Sequence, residues 1–98
     1  MSSGPARYRL VVSGAVRGDL LRLADLAAAM GVTTFRNDLL EIAARLTADP
    51  NGWGDPLYTL HQLGVVVCHR LLRDLHVNYG IDETRRLVYL RWIRLWRL

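Results

Sequence analysis

Two histidines, His69 and His76, stand on either side of a predicted hairpin turn, with Arg70 and Arg73 between them. Imidazole suits proton transfer because its unperturbed pKa, about 6.5, lies near neutral pH. Guanidinium suits phosphate because its planar fork matches two oxygens at once. If the strands flanking that turn pair, the two imidazoles face each other as an acid and a base beside phosphate ligands. Plainer readings stand next to these. His69 also reads as a strand residue satisfied by a backbone group. For His76, the polar neighbour Asn78 points to a face not packed on the helices, and His61 reads as a surface residue near a turn. The three histidines and Cys68 show no CxxC or HExxH spacing, so neither a metal nor another cofactor is expected.

Near the end of the chain Arg91, Arg94 and Arg97 recur every third residue. On a strand that spacing puts Arg91 and Arg97 on one side and Arg94 on the other. Arg91 is a candidate phosphate ligand with Tyr89 as a ring for stacking a base; the alternative is a set of charges that protects a strand from edge aggregation. Trp92 reads as core, and Trp96 as a ring at a partner surface.

The charge balance favours an anionic partner. Thirteen arginines and no lysine face nine acids, for a net charge of +4. The missing lysine most simply reflects GC-rich coding. The stretch from Arg85 to Leu98 holds five arginines and no acid, a local excess that suits nucleic acid or an acidic protein segment. At 98 residues the chain makes one small domain, and 51% apolar beside 22% charged residues excludes a disordered or fibrous protein. Its longest apolar runs fall far short of the roughly 20 residues of a membrane helix. With no apolar signal segment and a lone cysteine, a reducing cytoplasm is the expected compartment.

Hydrophobic periodicity supplies the elements that must position these groups. A loose leader spans 1–6. Tyr8, Leu10 and Val12 alternate as a strand, and Ser13 is placed to cap a helix over 15–30 that Gly31 stops. A second helix starts after Thr33 or Thr34, carries Phe35, Leu39, Ile42 and Leu46 on one face, and ends at Asp49-Pro50. Residues 50–56 read as loop, with Trp53 folding back over the core. Strands follow at 57–62, 65–71, 75–81 and 86–95, separated by turns. The order β-α-α-β-β-β-β predicts an α+β fold, an antiparallel sheet covered on one face by a helical hairpin.

In this order the chain resembles the RelE/ParE superfamily of toxins from type II toxin–antitoxin systems. The resemblance rests on Tyr8 to Ser13 leading into Ala15 and Leu20, on Asp49-Pro50 followed by Trp53-Gly54-Asp55-Pro56-Leu57, and on Leu75 to Asp82 running into Arg86-Leu87-Val88-Tyr89-Leu90. It covers nearly the whole chain as one domain. It implies a toxin whose open sheet face meets the target, either a ribosome-associated messenger-RNA endonuclease or a non-enzymatic inhibitor of DNA gyrase, with an inactive binding module as a further alternative. It also implies a cognate antitoxin with an acidic segment that folds on binding. For an RNA endonuclease the expected catalytic residues are His76 and His69, and the expected RNA ligands are Arg70, Arg73, Tyr89, Arg91 and Arg97. The matching family positions are His76, where arginine is common, and the Arg91 to Arg97 region. The chain departs from the family pattern in lacking a further Tyr or His after the last strand and lysines in the second and third strands.

Overall fold

The computed structural model describes residues 7–96; the leader expected at 1–6, and Arg97, lie outside the described residues. The elements are β1 (Arg9–Val11), α1 (Gly14–Ala29), α2 (Phe35–Ala48), α3 (Pro50–Trp53), β2 (Asp55–Leu60), β3 (Val65–Leu72), β4 (Leu75–Asp82) and β5 (Leu87–Leu95). Ser13 caps α1, its hydroxyl accepting the Val16 N–H at 3.1 Å. Gly31, with φ at +77°, turns the chain out of α1 in the left-handed conformation that glycine adopts freely. Thr34 precedes α2, but its hydroxyl donates to Asp38 at 3.0 Å instead of capping the backbone. Among the described residues no helix is long and apolar enough to cross a membrane.

The segment expected as loop after Asp49 begins with a short helix. Pro50 takes its first position, where the missing N–H costs nothing, and Asp49 Oδ1 accepts the Gly52 N–H at 3.1 Å. This turn carries Trp53 into the core, 6.0 Å from the Tyr79 ring between centroids. At Gly54 the backbone passes so close to the sheet that a Cβ there would sit 2.5 Å from the Tyr79 hydroxyl and 2.7 Å from the His69 carbonyl.

The sheet order is β1-β5-β4-β3-β2. Strands β2 to β5 form the antiparallel meander that the turns imply. β1 instead runs parallel to β5, with Arg9 opposite Leu87 and Val11 opposite Tyr89, so the sheet is mixed and not wholly antiparallel. A parallel pair needs a long connection, and the chain between Val11 and Leu87 supplies it. One face is the core: Cys68, Val77, Tyr79, Ile81, Val88 and Leu90 join Ala27 of α1 and Phe35, Ile42 and Leu46 of α2. The helical hairpin thus covers the back of the sheet and leaves the front to β2–β5.

A bulge in β5 decides what that front carries. Asn78 pairs with Trp92 and Tyr79 with Leu90, which leaves Arg91 as an extra residue. The alternation changes phase there. Leu90 and Ile93 both join the core, while Tyr89, Arg91, Trp92 and Arg94 share the front. Simple period-two alternation had separated Arg91 from Arg94 and assigned Trp92 to the core; the bulge overturns both expectations.

Candidate functional site on the open sheet face

His69 lies opposite Asn78, and His76 lies opposite Leu71, so the two histidines are diagonal neighbours on one face of the β3–β4 hairpin. Their rings meet with His69 Nδ1 3.0 Å from His76 Nε2 and an interplanar angle of 61°. His76 also touches the Trp92 ring edge-on at 5.0 Å and has Trp96 at 6.3 Å. Its register partner is Arg94, whose guanidinium lies 4.0 Å from the centre of the Trp92 ring. Burial pulls the His76 pKa below the ordinary histidine value, and the neighbouring His69 and Arg94 charges act in the same direction. All three effects favour the neutral imidazole of His76 over its charged form.

Asn78 completes this cluster between His69 and Trp92. It is only 4% exposed, and its side-chain oxygen is buried without a hydrogen-bond donor among the described residues. A buried unpaired acceptor costs about 1–3 kcal/mol, so this carboxamide works against stability.

The expected phosphate ligands divide between the two faces. Arg70 is one residue out of phase with His69. It points to the helix side, where it donates to the Trp53 carbonyl and its guanidinium lies 5.6 Å from the Trp53 ring. Arg73 occupies the β3–β4 turn at φ +52° and is held by Asp38 and Glu41 of α2, each at 3.0 Å. Both depart from the expectation that they flank the histidines: strand alternation turns one away, and a buried carboxylate draws the other. Arg86 is likewise engaged by the chain itself, donating to Glu83 and to the Tyr8 hydroxyl in a cluster that Asn51 joins.

Arg91 and Tyr89 do stand on the front. Arg91 donates to the Tyr58 hydroxyl at 2.8 Å, and Tyr89 lies opposite Gly80 in the register. Both line a pocket of about 270 Å³ beside Gly80, toward the opposite end of β4 from His76. His61 lies exposed in the β2–β3 turn. The site thus brings together His69, His76, Tyr89 and Arg91, and adds Arg94, Trp92, Asn78 and Tyr58. Arg94 and Trp92 were hidden by the bulge. Tyr58 was hidden by the register shift between Pro56 and Tyr58 in β2. Among the described residues no three His, Cys, Asp or Glu side chains group as a metal site.

Comparison with protein-family models, with curated proteins and with solved structures gives no match. The functional reading therefore rests on this geometry.

Proposed function

We propose that the chain is a cytoplasmic RNA endonuclease, a toxin of the RelE/ParE kind, that cuts single-stranded messenger RNA on the front of its sheet. The observation that carries the reading is the 3.0 Å contact between His69 and His76 on a face that also holds Arg91 and Arg94. Cleavage through the 2′-hydroxyl requires removing its proton, protonating the leaving 5′-oxygen and stabilising the charge on phosphorus. A paired dyad does the first two together. In the tautomer assigned to the reactive state, His76 Nε2–H donates to His69 Nδ1. His76 Nδ1 then takes the 2′-hydroxyl proton, the Nε2 proton passes to His69, and His69 Nε2–H protonates the leaving oxygen. The 2′-oxygen bonds to phosphorus, the P–O5′ bond breaks, and the products are a 2′,3′-cyclic phosphate and a 5′-hydroxyl. The dyad ends in the opposite tautomer with no net change of charge.

Arg94, whose hydrophobic support is the Trp92 ring, supplies positive charge next to His76 and serves both to hold phosphate and to keep the imidazole neutral. An acidic antitoxin segment folding over the same face would block it. The test is expression in bacteria together with incubation of purified protein with single-stranded RNA and ribosomes. Growth arrest and new RNA 5′ ends are expected from the wild type, and His76→Ala should abolish both. Arrest with intact RNA would refute the endonuclease and leave a gyrase-type binder.

A further inference from the structure

We infer that the pocket between Gly80 and Tyr89 is a subsite for one unpaired base of the bound strand, with Tyr89 as its stacking wall and Arg85 and Arg91 as its phosphate contacts. This deepens the RNA reading of the same face and rests on it. Residue 80 has no side chain, which lets Val65 and Arg91 close over β4 and form the pocket's floor and wall: a Cβ there would lie 2.7 Å from a Val65 methyl carbon and 4.0 Å from Arg91 Cδ. Leu60, Leu63 and Val65 contribute apolar surface, Tyr89 stands across from Gly80, and the two arginines complete the lining together with Asp82, whose carboxylate accepts from the Arg85 backbone N–H at 3.1 Å. At about 270 Å³ the cavity falls just below the range of roughly 300–1,000 Å³ that holds drug-sized ligands, so it suits a single planar base.

The charges fit a nucleotide better than an apolar peptide. Arg91 is held by a neutral phenol hydroxyl at 2.8 Å, and Arg85 lies 3.7 Å from Asp82 with its side chain 73% exposed. Neither is tied up as Arg73 is between two carboxylates. Both therefore retain capacity for phosphate. Gly80 lies four residues along β4 from His76, about 13 Å at the rise of an extended strand, a span that single-stranded RNA crosses in a few nucleotides. The dyad and the pocket would thus read one strand laid along β4.

The test is fluorescence anisotropy with a labelled, fully 2′-O-methylated octanucleotide, which binds but cannot be cut. Tyr89→Ala should weaken binding about 5- to 150-fold, the range for loss of one stacked base, while Tyr89→Phe binds like wild type. Arg91→Ala, an exposed change that spares the core, should weaken binding and lower its salt dependence. An oligonucleotide with a single abasic position, moved along the strand, should bind the wild type more weakly at one position and show no such penalty against Tyr89→Ala. Equal binding by wild type and Tyr89→Ala, or an abasic penalty that persists in the variant, overturns the subsite. So does competition by an acidic peptide that depends on Tyr89 while the oligonucleotide does not. Failure of the wild type to bind any oligonucleotide overturns both readings, whereas binding without cleavage of ordinary RNA overturns only the endonuclease.

Discussion

Replacing Asn78 by leucine should stabilise the fold and damage the site. Asn78 is 4% exposed, and its side-chain oxygen has no donor within reach among the described residues. Leucine is close to it in shape and has no polar atom to leave unpaired. Removing the orphaned acceptor should recover about 1–3 kcal/mol. For a chain of this length each kcal/mol moves Tm by roughly 4–8 °C, so the gain is readable in a calorimetric scan or a urea titration. The same change puts an apolar side chain between His69 and Trp92, where the carboxamide now gives the dyad a polar neighbour. RNA cleavage should then fall while Tm rises. That opposition is what a residue kept for function at a cost in stability must show. A destabilised Asn78→Leu protein would mean that the oxygen is satisfied in solution, and a stabilised, fully active one would remove Asn78 from the site.

Three further outcomes follow from the same geometry. Tyr79→Phe removes a buried hydroxyl that donates to the Pro50 carbonyl at 2.7 Å, and the orphaned carbonyl should cost about 1–3 kcal/mol in urea unfolding; an unchanged midpoint refutes the bond's importance. Gly54→Ala forces a methyl against the Tyr79 hydroxyl and the His69 carbonyl, so a loss of about 1–3 kcal/mol is expected with reduced cleavage from a displaced His69; wild-type stability would contradict the close approach. Because His76 titrates below the ordinary histidine value in the folded chain, the unfolded chain binds its proton first as pH falls. Its contribution to stability is therefore complete above about pH 6.5 and is lost as pH drops through the folded value. Cleavage should show an acid limb in that same window, and Arg94→Ala should move the limb to higher pH by removing a nearby cation; a limb that does not move would dissociate Arg94 from the dyad.

Much of the fold was legible because local signals agreed with one another. Ser13, Gly31 and Asp49-Pro50 punctuate the helices as their chemistry requires, and the alternation of Leu75, Val77, Tyr79 and Ile81 matches the face that packs on α1 and α2. The pairing of β1 with β5 was not legible, since strand direction depends on a contact between the two ends of the chain. The site was legible where periodicity holds and illegible where it breaks. His69 and His76 could be placed together from a hairpin and a period of two. Arg94 and Trp92 could not, because an unpaired residue such as Arg91 leaves no mark in the pattern of apolar and polar letters. Arg73 misled because its position in a turn says nothing of a buried Asp38 approaching from another element.

The basic character of the front thus follows from register as much as from composition. Thirteen arginines are present, yet Arg70, Arg73 and Arg86 are engaged by the chain's own carbonyl, carboxylates and phenol. Among the described residues, the cations left for a ligand on the front, Arg85, Arg91 and Arg94, belong to β5 and the turn before it. Without the bulge, strict alternation would send Arg94 toward α1 and bring Ile93 out to solvent, exchanging an outward-facing cation for an exposed apolar side chain. The front is also divided along β4. At one end Val67 is fully buried beside Gly80, in the part of the face crossed by the Tyr58–Arg91 hydrogen bond, so apolar packing there ends in a cation. At the other end both imidazoles are half-buried, and His76 lies 6.3 Å from the ring of Trp96, which is 58% exposed. An anionic strand with flat bases satisfies both ends at once, with phosphates on guanidinium groups and rings on rings, whereas an apolar partner would have to bury Arg91 and Arg94 without counter-charges.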